Sequence, residues 1–213
     1  MIHRWAPRDG RRVSPADVAS PAQVVGVAEV EPDPRVQPAR TPRTARASEV
    51  IAAAGEILEA EGLEALTMRR LADELGIRAP SLYKHLPDKA ALCSALVEQA
   101  FVEMGTALHA AVDPDDPTGS VAALLEAYRA NGLAHPNLYR LATAGPLSRD
   151  PLPDGLEEWA GTPFFLVTGE PYLAQALWAF AHGMVILEID ERFADTSDLD
   201  RTWAQGATAF SAH

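Results

Sequence analysis

Arg78, Lys84, His85 and Lys89 fall within GIRAPSLYKHLPDK, residues 76–89, around a single tyrosine, Tyr83. Cations and hydroxyls packed this closely donate hydrogen bonds to anionic oxygen, and their natural counterpart is a phosphate or the acceptor edge of a base. The setting sharpens the point. The 213-residue chain carries 18 Lys+Arg against 30 Asp+Glu, a formal charge of −12. Residues 1–89 hold 13 of each sign, so the remaining 5 bases and 17 acids place the whole acidic excess in residues 90–213. A polyanion repels such an acidic body and leaves the basic stretch as the surface that can approach it; the acid also favours solubility.

Helices must hold these groups. Val50, Ile51, Ala54, Ile57 and Leu58 repeat at helical spacing from about residue 44, and Gly62 offers a left-handed stop. A second helix follows, with Thr67 as its cap, Met68, Leu71, Ala72 and Leu75 on one face, and Gly76 in its C-terminal turn. Pro80, which has no amide hydrogen to lose, opens a third short helix to about Leu86. Two short helices flanking the turn Gly76 to Ala79 make a helix-turn-helix, in which the second is offered to the major groove. At roughly 100° per residue, Leu82 and Leu86 point inward, Pro80, Ser81 and Lys84 point outward, and Tyr83 and His85 sit on the flanks. Asp88 reads as the cap of a fourth helix. Lys89 then sits in that helix's first turn, against the dipole by about 0.3–1 kcal/mol, a cost that a phosphate partner would offset, unless the lysine is simply solvated and tolerated there.

Residues 1–42 contain seven prolines and no helical periodicity, and they read as a flexible basic arm. Arg35, Arg40, Arg43 and Arg46 lie between Pro34 and Ser48 without an acidic residue, as a solvated linker or as an arm along phosphates or in a minor groove. Residues 43–91 are expected to form the DNA-binding domain and residues 92–213 a helical domain for effector binding and dimerisation.

The second part reads as helix throughout. Leu92, Leu96, Ala100 and Met104 stripe a long fourth helix that ends at the breaker DPDDPTG, residues 113–119. Further helices fit Ser120 to His135, Leu138 to Thr143 and Leu156 to Val167. From Pro171, Leu173, Leu177, Phe180, Met184 and Leu187 make one seam, and Trp178, Ala181, Val185 and Ile189 another. A last helix carries Leu199, Trp203, Gly206 and Phe210. The first seam with Leu199, Trp203 and Phe210 is expected to form a four-helix dimer interface between two copies, the alternative being a helix wholly inside the monomer. Tyr128, Tyr139, Trp159, Phe164, Phe165, Trp178 and His182 are candidates for a largely apolar effector pocket, although ordinary core packing serves each of them too.

The stretch GLEALTMRRLADELGIRAPSLYKHLPDKAAL, Gly62 to Leu92, resembles the N-terminal domain of the TetR family of one-component transcriptional regulators. The second helix's threonine-led opening, its LAxxLG end, the turn, the L-Y-x-H core and the lysine of helix four are in register. WAFAHGMVILE, Trp178 to Glu188, is similar to the His-Gly helix of one subgroup. The resemblance implies that Arg69, Ser81 and Lys84 approach bases while Thr67, Tyr83, His85 and Lys89 hold the backbone. Ala79 departs from the pattern, since many members carry a polar residue there. The implied molecule is all-α: a three-helix helix-turn-helix domain, then a helical bundle. It is a homodimeric regulator, expected to repress, on a near-palindromic double-stranded DNA operator, released by a small apolar effector.

Other classes find little support. The histidines form no Glu-x-x-His or His-x3-His pair and Cys93 stands alone, so no metal, cofactor or enzymatic site is expected. The rival that survives is a helical ligand-binding module whose DNA-reading head is weak or decayed. With one cysteine and no secretion signal, the chain reads as cytoplasmic, nucleoid-associated when on DNA. The uncharged run Pro171 to Leu187 approaches the length of a membrane span, but Gln175, His182 and Gly183 interrupt it, and a buried helix is expected.

Overall fold

The computed structural model describes residue 33 and residues 35–211; the arm's residues 1–32 and Pro34 lie outside them. The described residues form helices and no strand: α1 Ala45–Glu61, α2 Met68–Glu74, α3 Ala79–Leu82, α4 Lys89–Ala111, α5 Val121–Ala134, α6 Pro136–Thr143, α7 Leu156–Thr168, α8 Pro171–Ile189 and α9 Leu199–Ser211.

Local chemistry sets the ends. Thr44, Thr67 and Asp88 cap α1, α2 and α4, their side-chain oxygens accepting the amides of Ala47, Arg70 and Ala91. Gly62 and Gly76 take φ of +83° and +62°, a region that side-chain-bearing residues enter at a cost. The third helix is shorter than the sequence implies. It starts at Ala79, with Pro80 in its second position, and only turn bonds from His85 and Leu86 to the Leu82 carbonyl carry it on. Pro87 disfavours helical backbone at Leu86 and so ends it.

α1, α2, α3 and the first turns of α4 enclose one core, in which Val50, Leu58, Leu66, Leu71, Leu82 and Leu92 are fully buried. Leu96 of α4 and Leu138 of α6 belong to the same cluster. The boundary expected at residue 91 therefore falls inside a continuous helix, whose first half builds the head and whose second half builds the bundle. Glu59 of α1 makes a second link, its carboxylate accepting the amides of Leu138 (2.7 Å) and Asn137 (3.2 Å) at the start of α6.

The bundle core joins α5, α7, α8 and α9 around Leu124, Phe164, Leu177 and Val185. Close approach depends on small residues. A Cβ at Gly105 would lie 2.4 Å from the Trp159 ring, and one at Gly206 would lie 2.1 Å from Phe180. By length and composition α4 and α8 are apolar enough to cross a membrane. Both instead pack through the helical body, α4 against α5, α6 and α7 and α8 against α5, α7 and α9.

Candidate nucleic-acid interface and adjoining cavity

Burying Leu82 and Leu86 turns the other side of α3 and its following turn to solvent: Pro80, Tyr83, Lys84 and His85 are exposed and Ser81 half-exposed. Tyr83 is 50% exposed, so its ring and hydroxyl stand free of the head core. Ala79 is half-buried and packs against the head core, so this position offers no polar group, while Arg78 at the N-cap of the same helix is exposed. Arg69 on α2 is exposed, whereas Arg70 is spent on structure, bonding Glu61 (2.6 Å) and Glu74 (2.7 Å), which hold its guanidinium above its ordinary range. Exposed Thr67 keeps its capping bond to the Arg70 amide at 3.0 Å.

Lys89, expected to meet a phosphate, and Arg43, expected in a solvated linker or in an arm along phosphates, both have partners within the chain. Lys89 Nζ donates to the Leu63 carbonyl at 3.0 Å, which ties the start of α4 to the α1–α2 turn and offsets the unfavourable dipole without an external anion. Arg43 donates to Glu98, a carboxylate only 1% exposed, and Thr41 N donates to the same group at 3.0 Å. The described end of the arm is thus packed against α4, where the sequence reading has it flexible. Arg46, at the start of α1, pairs with Glu49 at 2.7 Å on an exposed face.

A cavity of about 240 Å3 opens in the bundle between α4, α5, α6 and α8. Phe101, Met104, Leu138 and Leu147 make its walls greasy, and Glu103, Asn131, His135, Thr143, Arg149 and Glu157 add polar groups. Of the expected pocket residues, Tyr128, Tyr139 and Trp178 line it. Four do not. Trp159 turns into the α4–α7 seam, stacked on His109; Phe164 is buried edge-on to Tyr128 at 5.6 Å; Phe165 packs on the bundle core; His182 stands behind Tyr139. The α4 contributors, and Asn131, Leu138 and Thr143 beside the two tyrosines, escaped the sequence reading because periodicity gives a helix's face without saying which neighbour leaves a gap beside it.

A chain of hydrogen bonds forms one wall. The Tyr128 and Tyr139 hydroxyls are 2.9 Å apart, and Tyr139 is 2.8 Å from His182 Nδ1. Burial lowers the His182 pKa and favours the neutral ring; in the tautomer with the proton on Nε2, Nδ1 accepts from Tyr139, which accepts in turn from Tyr128. Burial also pushes Tyr128 up to about 12 and raises Tyr139, keeping both phenols protonated. Trp178 Nε1 is buried beside them with no partner at hydrogen-bond geometry, although it lies close enough to bias the Tyr128 hydroxyl. Among the described residues no cluster of three or more His, Cys, Asp or Glu is placed to hold a metal.

The expected dimer seam divides. Leu177 and Met184 are buried within their own subunit, facing the bundle core with Ala174, Ala181 and Val185, and Trp203 is buried with its indole donating to Glu188. These three cannot also cover a second copy. Phe180 packs on Trp203 and Phe210, while Leu173 and Leu199 are half-buried. The face that α8 leaves to solvent runs through Tyr172, Ala176, Ala179 and Leu187.

Residues 50–96 match the family described as bacterial regulatory proteins, tetR family, and residues 121–210 match tetracyclin repressor-like, C-terminal domain. An uncharacterised HTH-type transcriptional regulator of Mycobacterium tuberculosis is 30% identical over 160 residues, which span 71% of this chain and 73% of that protein. The class C tetracycline repressor of Escherichia coli is 51% identical over 49 residues, 23% of this chain and 22% of the repressor. A Rhodococcus protein of unknown function shares the fold with a TM-score of 0.66 at 24% identity, over 79% of this chain and 95% of its own. The chain belongs to the TetR family of transcriptional regulators.

Proposed function

We propose that this regulator is a repressor that binds a near-palindromic operator as a homodimer and leaves it when a small, largely apolar molecule enters the cavity between α4, α5, α6 and α8. The observation that carries the reading is the division of α3 and its turn: Leu82 and Leu86 are held in the head core while Ser81, Tyr83, Lys84 and His85 face outward. On this reading Arg69, Ser81 and Lys84 meet bases, and Thr67, Tyr83 and His85 position the phosphate backbone. Residues 43–91 supply the DNA contacts, and the protein works in the cytoplasm, on the nucleoid when bound.

The dimer follows from reach. One short helix makes too few base contacts for high specificity, whereas two heads read half-sites about 34–36 Å apart. The exposed α8 face at Tyr172, Ala176, Ala179 and Leu187 is the surface assigned to the second copy. An effector that moves the population from 99:1 to 1:99 must favour the released state by about 10⁴-fold. The apolar walls of the cavity suit such a ligand, and the polar groups among them would orient it.

Selection of random DNA by the purified protein, followed by sequencing and by anisotropy on the selected and a scrambled duplex across a salt series, tests the reading. A two-fold-symmetric site whose advantage survives moderate salt is expected. Equal affinities that collapse together with salt would leave a helical module with a decayed head.

A further inference from the structure

We propose that Glu98 is a positioning residue for DNA binding: it fastens the chain just before α1 to the bundle, so that a strap as well as α4 sets the orientation of the head. The proposal rests on the DNA-binding reading above. Glu98 is the most deeply buried carboxylate among the described residues, at 1% exposure in the middle of α4. Both of its oxygens are taken by the strap, Oε1 by the Thr41 amide at 3.0 Å and Oε2 by Arg43 Nη2. A charge buried this deeply is costly to desolvate, and an apolar residue would serve the bundle's stability as well. What the ion pair supplies is a fixed point for a segment that has no secondary structure of its own.

The strap touches every part that would have to communicate. Next to Arg43, Thr44 caps α1, leaving no slack between the anchor and the head. Thr41, Arg43 and Thr44 share a second cavity, of about 360 Å3, with Lys84 and His85 in the turn after α3 and with Pro151 from the loop before α7. Upstream, Pro38 lies over Gly155, and the Arg35 carbonyl accepts from Trp159 Nε1 at 3.3 Å. Phe101 on α4 and Glu157 on α7, close to these anchors, line the effector cavity. A ligand that shifts α7 against α4 therefore pulls on the strap, and the strap pulls on α1. Coupling is reciprocal, so DNA held by the head must in turn still the loop before α7.

The test is backbone hydrogen exchange of the full chain with and without the operator duplex recovered by selection. In the wild type, DNA slows exchange in the head and, by roughly tenfold, in residues 35–44 and 145–155. Glu98→Gln keeps the head's slowing and loses the distal part, because Arg43 is left without its anion. The double variant Glu98→Gln, Arg43→Gln restores it through a neutral amide pair, which a role in stability alone does not predict. Should Glu98→Gln fail to fold, Arg43→Gln breaks the same link from the side that is 16% exposed. Distal slowing that never appears in the wild type, or that persists undiminished in Glu98→Gln, overturns the proposal. No slowing in the head itself instead overturns the DNA-binding reading, and the strap's role falls with it.

Discussion

His109 Nε2 lies 2.9 Å from the carbonyl oxygen of Trp159, and the two rings stack with centroids 5.0 Å apart. The contact repairs a defect in α7. Pro163 stands four residues after Trp159 and has no N–H to donate, so the Trp159 carbonyl lacks its helical partner and the α4 histidine takes that place. Removing the histidine orphans the carbonyl, and His109→Ala is expected to cost about 1–3 kcal/mol in urea unfolding. In a Pro163→Ala background, which returns the amide, that cost should shrink by about 1 kcal/mol. Equal costs in both backgrounds would contradict the repair.

Gly105→Ala tests the other side of the same ring. The new methyl would sit 2.4 Å from Cζ3 of Trp159, whose position is fixed by His109 and by the Arg35 carbonyl. Overpacking against a ring so held is expected to cost about 1–3 kcal/mol, read as a lowered thermal midpoint, while Gly55→Ala in the same assay, with its nearest neighbour at 3.8 Å inside α1, should raise the midpoint slightly, because alanine favours a helix interior.

Acid should weaken the fold through His109 and His182. Burial lowers both from the ordinary histidine value of 6.5, so the unfolded chain takes up protons at a pH where the folded chain does not. Their neutral forms therefore give full stability above that value, and stability is lost as pH falls below it and through the depressed folded values. The thermal midpoint should drop between about pH 7.5 and about pH 5.5. His182→Gln, which still accepts from Tyr139 but does not titrate, should flatten the slope.

Lys84 and Lys89 are expected to separate. Lys84 is exposed on the reading face, so Lys84→Ala should relax preference at one base position, at a cost of ~1–3 kcal/mol. Lys89 is bonded to the Leu63 carbonyl, so Lys89→Ala should lower the stability of the head and weaken all DNA sequences alike. Binding to a single-base-substituted operator panel, read beside thermal melts, distinguishes the two. Identical profiles would contradict the division.

Glu59→Ala removes a carboxylate that caps α6 from α1. A lost cap costs about 0.5–2 kcal/mol, and here it also breaks a link between head and bundle. Urea unfolding of the variant should show the loss, and exchange of the Leu138 amide should quicken more than that of Leu66 in the head core.

The sequence by itself determined the helices, their order, the turn between α2 and α3 and the inward pair Leu82 and Leu86. Those features depend on caps, glycines and apolar spacing within a few residues, and such local signals survive without knowledge of the fold. It also pointed to Tyr128, Tyr139 and Trp178 as pocket residues, since ring size marks them. Tertiary structure decided the rest. Whether Leu177 and Met184 face their own core or a partner depends on the rotation of α8 in the bundle, because a helix apolar on nearly every side gives periodicity no polar face to orient it. Trp159 and His182 stand outside the cavity, Trp159 with its ring stacked on His109 and its carbonyl bonded to the same imidazole, His182 at the Tyr139 hydroxyl, partners 50 and 43 residues away in the chain. Glu98, Glu59 and Lys89 acquired their roles in the same way. An ion pair or a cap between distant segments leaves no spacing in the sequence, because the distance that matters closes only when the helices pack.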